Sequence, residues 1–357
     1  LANELEAIVA RSPASLEPRF LLVRAYKALR RAEEAIPVLQ EALAFDPFNP
    51  ALHYELGTAL MMDERWDEAR AALERSLELE PSQPNAYTSL GILSLQDGDG
   101  VGMARAMTQA IAVDPKDHEL PGMLAEFLYR LGLIEIADAF RERVLALAPT
   151  SEVAYQLELL RAKSTGDIDG SIAAARRTIE DKVEDRRFAF GGAVQHLIRT
   201  AAQTERIEEE LAWINEQEPG IFDVDAPRVP QRYRNAQGVA FDAWVRVLPV
   251  EEVRRRLEVL VAWAESNGVD PTQDPDTNVR ILALRGQTAE ATEVALEAVF
   301  SESVALHLDW RDAWMQPQFA EIVADPRVQE AIQRWDDEEE ALRGSVQSWF
   351  SDMHASR

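Results

Sequence analysis

Between residues 50 and 81 apolar side chains recur at helical spacing in two runs. Leu52, Leu56, Gly57 and Leu60 share one face; Trp66, Ala69, Ala72, Leu73 and Leu77, with Ser76, share another. Asn49-Pro50 supplies an N-cap and an N1 proline for the first helix. Asp63-Glu64-Arg65 reads as the turn, and Pro81 stops the second helix because it has no N–H to donate. The next stretch repeats the scheme with Pro84, Tyr87, Leu90, Gly91, a turn at Gly98, then Met103, Met107, Ala110 and Pro115. The period shows directly in the prolines: Pro13, Pro47, Pro81, Pro115 and Pro149 stand 34 residues apart. The pattern predicts consecutive helical hairpins and an all-α fold.

These residues resemble the tetratricopeptide repeat, a 34-residue helix–turn–helix unit with the pattern W-x2-L-G-x2-Y, A-x3-F, P. The pattern stands here as His53-x2-Leu56-Gly57-x2-Leu60, Ala69-x3-Leu73 and Pro81, and as Tyr87-x2-Leu90-Gly91-x2-Ser94 and Pro115. The unit before matches through Leu22, Tyr26, Ala35-x3-Leu39, Ala42 and Pro47; the unit after matches through Ala125, Gly132, Ala137 and Pro149. The resemblance implies an α-solenoid. Residues 1–13 fit the second helix of a further unit, and residues 152–184 make a weaker fifth one through Tyr155, Leu159, Gly166, Ser171 and Ala175. A repeat array over 1–184 is therefore expected, followed by degenerate repeats over 185–357.

In that second part, helices are expected over Phe188–Ala202, Glu205–Gln217, Ala236–Val247 and Val250–Asn267, with a proline-rich loop at 219–235. Val279–Arg285 and Thr288–Phe300 read as another pair, Gly286 in its turn, and a final helix runs to about Trp349. Trp310, Trp314, Phe319 and Asp325-Pro326-Arg327 resemble the ends of bacterial repeat proteins attached to membrane-bound transcriptional regulators and nucleotide cyclases.

Composition narrows the chemistry. With 37 basic residues against 63 acidic ones the net charge is −26, which repels phosphate backbones and anionic lipids, so nucleic acid is not an expected partner. There is no cysteine, hence no disulfide, thiolate metal site or cysteine nucleophile. No apolar run reaches the roughly 18–20 residues that span a bilayer, so membrane insertion by this chain is not expected. Only Lys27, Lys116, Lys163 and Lys182 are lysine, and this bias with abundant alanine fits a bacterial, GC-rich source. Leu1 is not methionine, so an upstream piece is expected to be missing: a signal peptide, an anchor, another domain or a tag. An exported or membrane-tethered setting is favoured over a cytoplasmic one.

The glycine-rich turn Gln96–Gly102 lacks the lysine of a P-loop and the glutamate and spacing of an EF-hand, so it reads as an inter-helix turn. His53, His118, His196, His307 and His354 are too scattered for a metal motif, and no cofactor or metal is expected. No catalytic constellation stands out, and Asp336–Glu340 reads as a solvated helix face. Seven of the 8 tryptophans follow residue 212, either as the core of the second part or as anchors for a partner.

What the family resemblance implies is binding along the first helices of the pairs. Carried over in phase, the groove positions are Phe20, Arg24 and Lys27; Tyr54, Thr58, Met61 and Met62; Asn85, Thr88, Ile92 and Leu95; then Glu126, Tyr129 and Arg130. The lysine and asparagine set by which chaperone-binding relatives hold a terminal carboxylate is not reproduced. Aromatic and methionine side chains suit an apolar or amphipathic peptide instead, although about half of these positions are expected to pack on adjacent repeats. The expected function is a non-enzymatic scaffold for a protein or peptide partner. The alternatives are a sensory domain with a small-ligand site in the C-terminal half, and an enzyme built on residues 185–357. Self-association stays open.

Overall fold

The computed structural model describes residues 2–11, 15–29, 31–181, 187–222, 244–266, 268, 270–301, 304, 314 and 317–355. Pro13, Trp310, His307 and most of the expected loop and helix over 219–247 lie outside them. All regular structure among the described residues is helical. The chain divides into two compact units, Leu1–Pro121 and Gly122–Arg357. The helices Ile168–Glu180 and Arg187–Ala201, on either side of the expected boundary at 184/185, lie against one another.

In the first unit, α1 (Ala2–Arg11) precedes the pairs α2 (Leu16–Ala28) and α3 (Ala32–Phe45), α4 (Pro50–Met62) and α5 (Trp66–Leu79), α6 (Pro84–Gln96) and α7 (Gly100–Val113). Each helix packs on its predecessor and successor in sequence. The Asn49 side chain accepts from Ala51 N at 3.1 Å and Leu52 N at 3.3 Å, so the expected cap starts α4. One apolar cluster then runs through α1 to α6, with Leu22, Leu39, Leu52 and Leu73 among its buried members. Tyr26 joins α1 to α2 by donating to Glu6 Oε1 at 2.6 Å.

A second ruler emerges from the backbone. Glu64, Gly98, Gly132 and Gly166 all have positive φ, between 57° and 72°, and stand 34 residues apart. Each follows a first helix whose late carbonyl accepts from the N–H five residues on: Leu60 from Arg65, Ser94 from Asp99, Leu128 from Leu133, Ala162 from Asp167. This is the glycine-type helix stop that satisfies orphan carbonyls through one left-handed residue. The pair expected around Gly286 has it too, with φ 77° and Gln287 N donating to Leu282 O.

The second unit continues with α8 (Glu119–Arg130, which begins just before the boundary), α9 (Ile134–Leu147), α10 (Glu152–Thr165), α11 (Ile168–Glu180), α12 (Arg187–Ala201) and α13 (Ile207–Gln217). Beyond them lie α14 (Val250–Ser266), α15 (Pro275–Leu284), α16 (Thr288–Val294, prolonged by a π turn Ala295–Val299), α17 (Ala320–Val323) and α18 (Pro326–Ala355). The final helix thus runs to Ala355, beyond the expected end near Trp349. Asp325 opens it, accepting from Arg327 N at 2.9 Å. Phe300, Trp314, Phe319 and Trp335 stack on one another at 4.7–5.0 Å in a buried cluster. Trp244 is buried as well. Trp213 is half-exposed beneath the Arg176 guanidinium, and Trp349 meets Phe350 edge-on.

Glycines at one repeat position behave differently. A Cβ on Gly57 would sit 2.6 Å from Leu73 Cγ, whereas on Gly91 it would meet nothing closer than 3.6 Å. Gly57→Ala should therefore cost about 1–3 kcal/mol through overpacking, while Gly91→Ala should be neutral or stabilise by up to about 1 kcal/mol from helix propensity. Urea midpoints of the two variants check the opposite signs. At Glu64, a side chain held in the left-handed region, Glu64→Gly should raise stability by about 1 kcal/mol, read as an increase in Tm.

Candidate partner-binding face

Helices α2, α4 and α6 present residues at matching levels, 34 apart: Phe20, Tyr54 and Thr88; Arg24, Thr58 and Ile92; Lys27, Met61 and Leu95. Their backs carry the core, so only one flank of each helix is left for this face. Lys27 is the joint between the first two. Its Nζ donates to Glu55 Oε2 at 2.8 Å and to Thr58 Oγ1 at 2.7 Å, tying α2 to α4. The structure thus brings Lys27 and Thr58 together.

Phe20, Tyr54 and Met61 are half-buried and lean on the apolar cluster beneath. Burial pushes the Tyr54 hydroxyl above its ordinary pKa, the Glu55 charge adds to this, and a hydrogen bond with Ser89 on α6 opposes it. Thr88 is half-buried and turns its hydroxyl back to Pro84 O at 3.1 Å, as a helical threonine does when no better acceptor is near. Ile92 and Met62 remain open, 48% and 45% exposed. Arg24 is exposed.

The three positions carried into the second unit fare differently. Glu126 and Arg130 pair along α8 at 2.7 Å, and Gln156 from α10 donates to Glu126 at 3.3 Å. Tyr129 is buried, 2% exposed, which corrects its placement in an open groove. The reason is polar: its hydroxyl donates to Asp138 on α9, while Arg161 on α10 donates to the same carboxylate at 2.8 Å. Burial first, then the bond to Asp138 and its charge, push the tyrosine pKa well up. Burial alone would raise Asp138, but its bonds to Arg161 and Tyr129 outweigh that and hold its carboxyl below the ordinary value. Asp138 and Gln156 carry no sequence signal, because a helix stripe shows which residues face the core and not which polar side chains will meet.

The other candidates resolve into structure. Asp99 caps α7 through Gly102 N at 2.7 Å, and Asp97 binds Arg70 on α5, so one acid of the glycine turn caps its own hairpin and the other ties it to the preceding one. The His53 ring meets Pro47 O at 2.9 Å beside the cap of α4. Among the described residues no three acidic or histidine side chains gather as a metal site, and no helix is long and apolar enough to cross a membrane.

Two tetratricopeptide-repeat family models match the chain, over residues 2–50 and 27–91. With the hairpins described above, this makes residues 2–91 tetratricopeptide repeats. Both matches end by residue 91, so they lend no support to the resemblance of the C-terminal tail to regulator- and cyclase-attached proteins. No curated protein matches. Among solved structures, a tetratricopeptide repeat protein from Parabacteroides merdae aligns at 15% identity over 72% of this chain and 98% of its own, with a TM-score of 0.47. PilF of Pseudomonas aeruginosa aligns at 17% identity over 58% and 86%, TM-score 0.43. YrrB, described as having an unusual peptide-binding site, aligns at 14% identity over 54% and 98%, TM-score 0.40.

Because the Asp138 carboxyl is held below its ordinary value of 3.8, the stability it contributes is complete above that pH and is lost as pH falls through the depressed value. Asp138→Asn should be less stable than wild type at neutral pH, and the gap should narrow from about pH 5 to pH 2. Urea titrations across that range check it.

Proposed function

We infer from the tetratricopeptide repeats that the chain is a protein–protein interaction scaffold. We propose that the partner is an apolar or amphipathic peptide segment lying across α2, α4 and α6, and that the chain acts by binding, without catalysis. The observation that carries this reading is the set of apolar side chains on that face, Tyr54 and Met61 on α4 and Ile92 on α6, beside the Lys27 bridge that ties α2 to α4. Half-buried aromatic and aliphatic residues are pre-organised, so a partner loses little entropy in using them as anchors. Covering about 100 Å² of such surface is worth about 2.5 kcal/mol. The small-ligand reading for residues 185–357 gains nothing from the aromatic cluster there, since those rings are packed against each other.

Selection of random peptides on the immobilised chain should enrich sequences with two or more apolar residues at regular spacing. Tyr54→Ala and Ile92→Asp should each weaken the selected peptide at least tenfold by fluorescence polarisation, and the exposed Arg105→Ser on α7 should not. Affinity indifferent to both groove substitutions would refute the assignment.

A further inference from the structure

One hydrogen bond joins residues 212 apart in sequence within the second unit: Arg343 Nε on α18 donates to Leu131 O, in the turn between α8 and α9, at 2.7 Å. Beside it Glu339, buried on α18, pairs with Arg343 at 2.8 Å, and one turn before the helix ends Phe350 meets Phe140 of α9 edge-on, centroids 5.9 Å apart. Leu342, Val346 and Phe350 are buried along the same stripe. In the 34-residue register Leu131 falls where the preceding turns have Leu29, Asp63 and Asp97. Leu29 is 57% exposed, whereas Leu131 is fully buried at the turn where α18 lands.

The landing helix is weak in its own right. Gly344 sits inside it, and a Cβ there would meet nothing within 4 Å, so no packing demand accounts for the glycine. Against alanine it disfavours the local helix about fivefold. Asp336, Asp337, Glu338, Glu339 and Glu340 crowd like charges three and four residues apart just before it. The first half of α18, by contrast, is locked by Val328, Ile332 and Trp335 into the aromatic cluster.

We propose that residues 339–355 form a releasable clasp: an amphipathic helix that docks on the α8–α9 hairpin through Arg343 and Phe350 and opens by local unfolding around Gly344 while the first half of α18 stays folded. The α8–α9 surface is then a helix-docking site whose resident ligand is the chain's own C-terminal helix. Opening frees it for a partner helix of the same chemistry, with an arginine and a phenylalanine seven residues apart on one face. This clasp does not depend on the groove of the first unit.

Native-state hydrogen exchange on the unmodified chain tests release directly. Amides of residues 345–355 should exchange from a state in which residues 328–335 remain protected, and Gly344→Ala should slow that exchange about fivefold. Exchange of both halves together, at the rate of global unfolding, would overturn the proposal. A second test uses the full-length double variant Arg343→Ala/Phe350→Ala and a fluorescein-labelled peptide of residues 337–355. The peptide should bind the variant at least tenfold more tightly than it binds wild type, and adding Phe140→Ala should abolish binding. Equal binding to wild type and variant, or none to a variant whose circular dichroism shows it folded, would count against the clasp.

Discussion

No single hairpin in this chain can cover its own apolar stripe, and that shortage organises everything else. A helix such as α4 buries Leu52, Ala59 and Leu60, but it needs α3 on one flank and α5 on the other to do so. Close approach is what makes the contact pay, and small residues at Gly57 and Ala69 set it. Stability in such a stack is a sum of nearest-neighbour contacts. The flank that no neighbour covers is left over by geometry, which is why the candidate binding face falls on the first helices and why its residues recur at the repeat period.

The polar layer follows from the same arrangement. With acid in such excess, arginines are used at close quarters: Arg31 with Glu34 and Arg65 with Glu68 repeat one short surface pair at the start of successive second helices. Such exposed pairs add little. Pairs with one buried member do more. Arg19 reaches Val38 O and Glu41 from α2 to α3, and Arg176 holds Glu210 with two bonds of 2.9 Å between α11 and α13. These fix how one helix sits against the next in places where the apolar stripe alone would let it slide.

Much of the first unit was legible in the residues because its period is written in prolines that end second helices and, at Gly98, in a glycine that ends a first one. The glycine record is the less regular: Glu64 occupies a left-handed position that only the backbone reveals. Of the candidate face, the register of Tyr54, Thr58, Met61 and Ile92 could be read by phase alone. The fate of Tyr129 could not, since it depends on Asp138 and Arg161 arriving from two other helices. The return of α18 was equally hidden. Nothing local in Arg343 or Phe350 distinguishes a helix that ends in solvent from one that docks on a turn far back in the chain.

The unlike surroundings of Gly57 and Gly91 bear on how freely such units can be recombined. Leu73 stands against the first glycine, and its equivalent Met107 would come no nearer than 3.7 Å to a Cβ on the second. Grafting α7 in place of α5 would set a slender thioether against a seam cut for a branched side chain and leave it loose. The reverse exchange would set Leu73 against the roomier seam at Gly91. The hairpins share a period without sharing a joint, so a chimera must carry each helix together with the one it was fitted to.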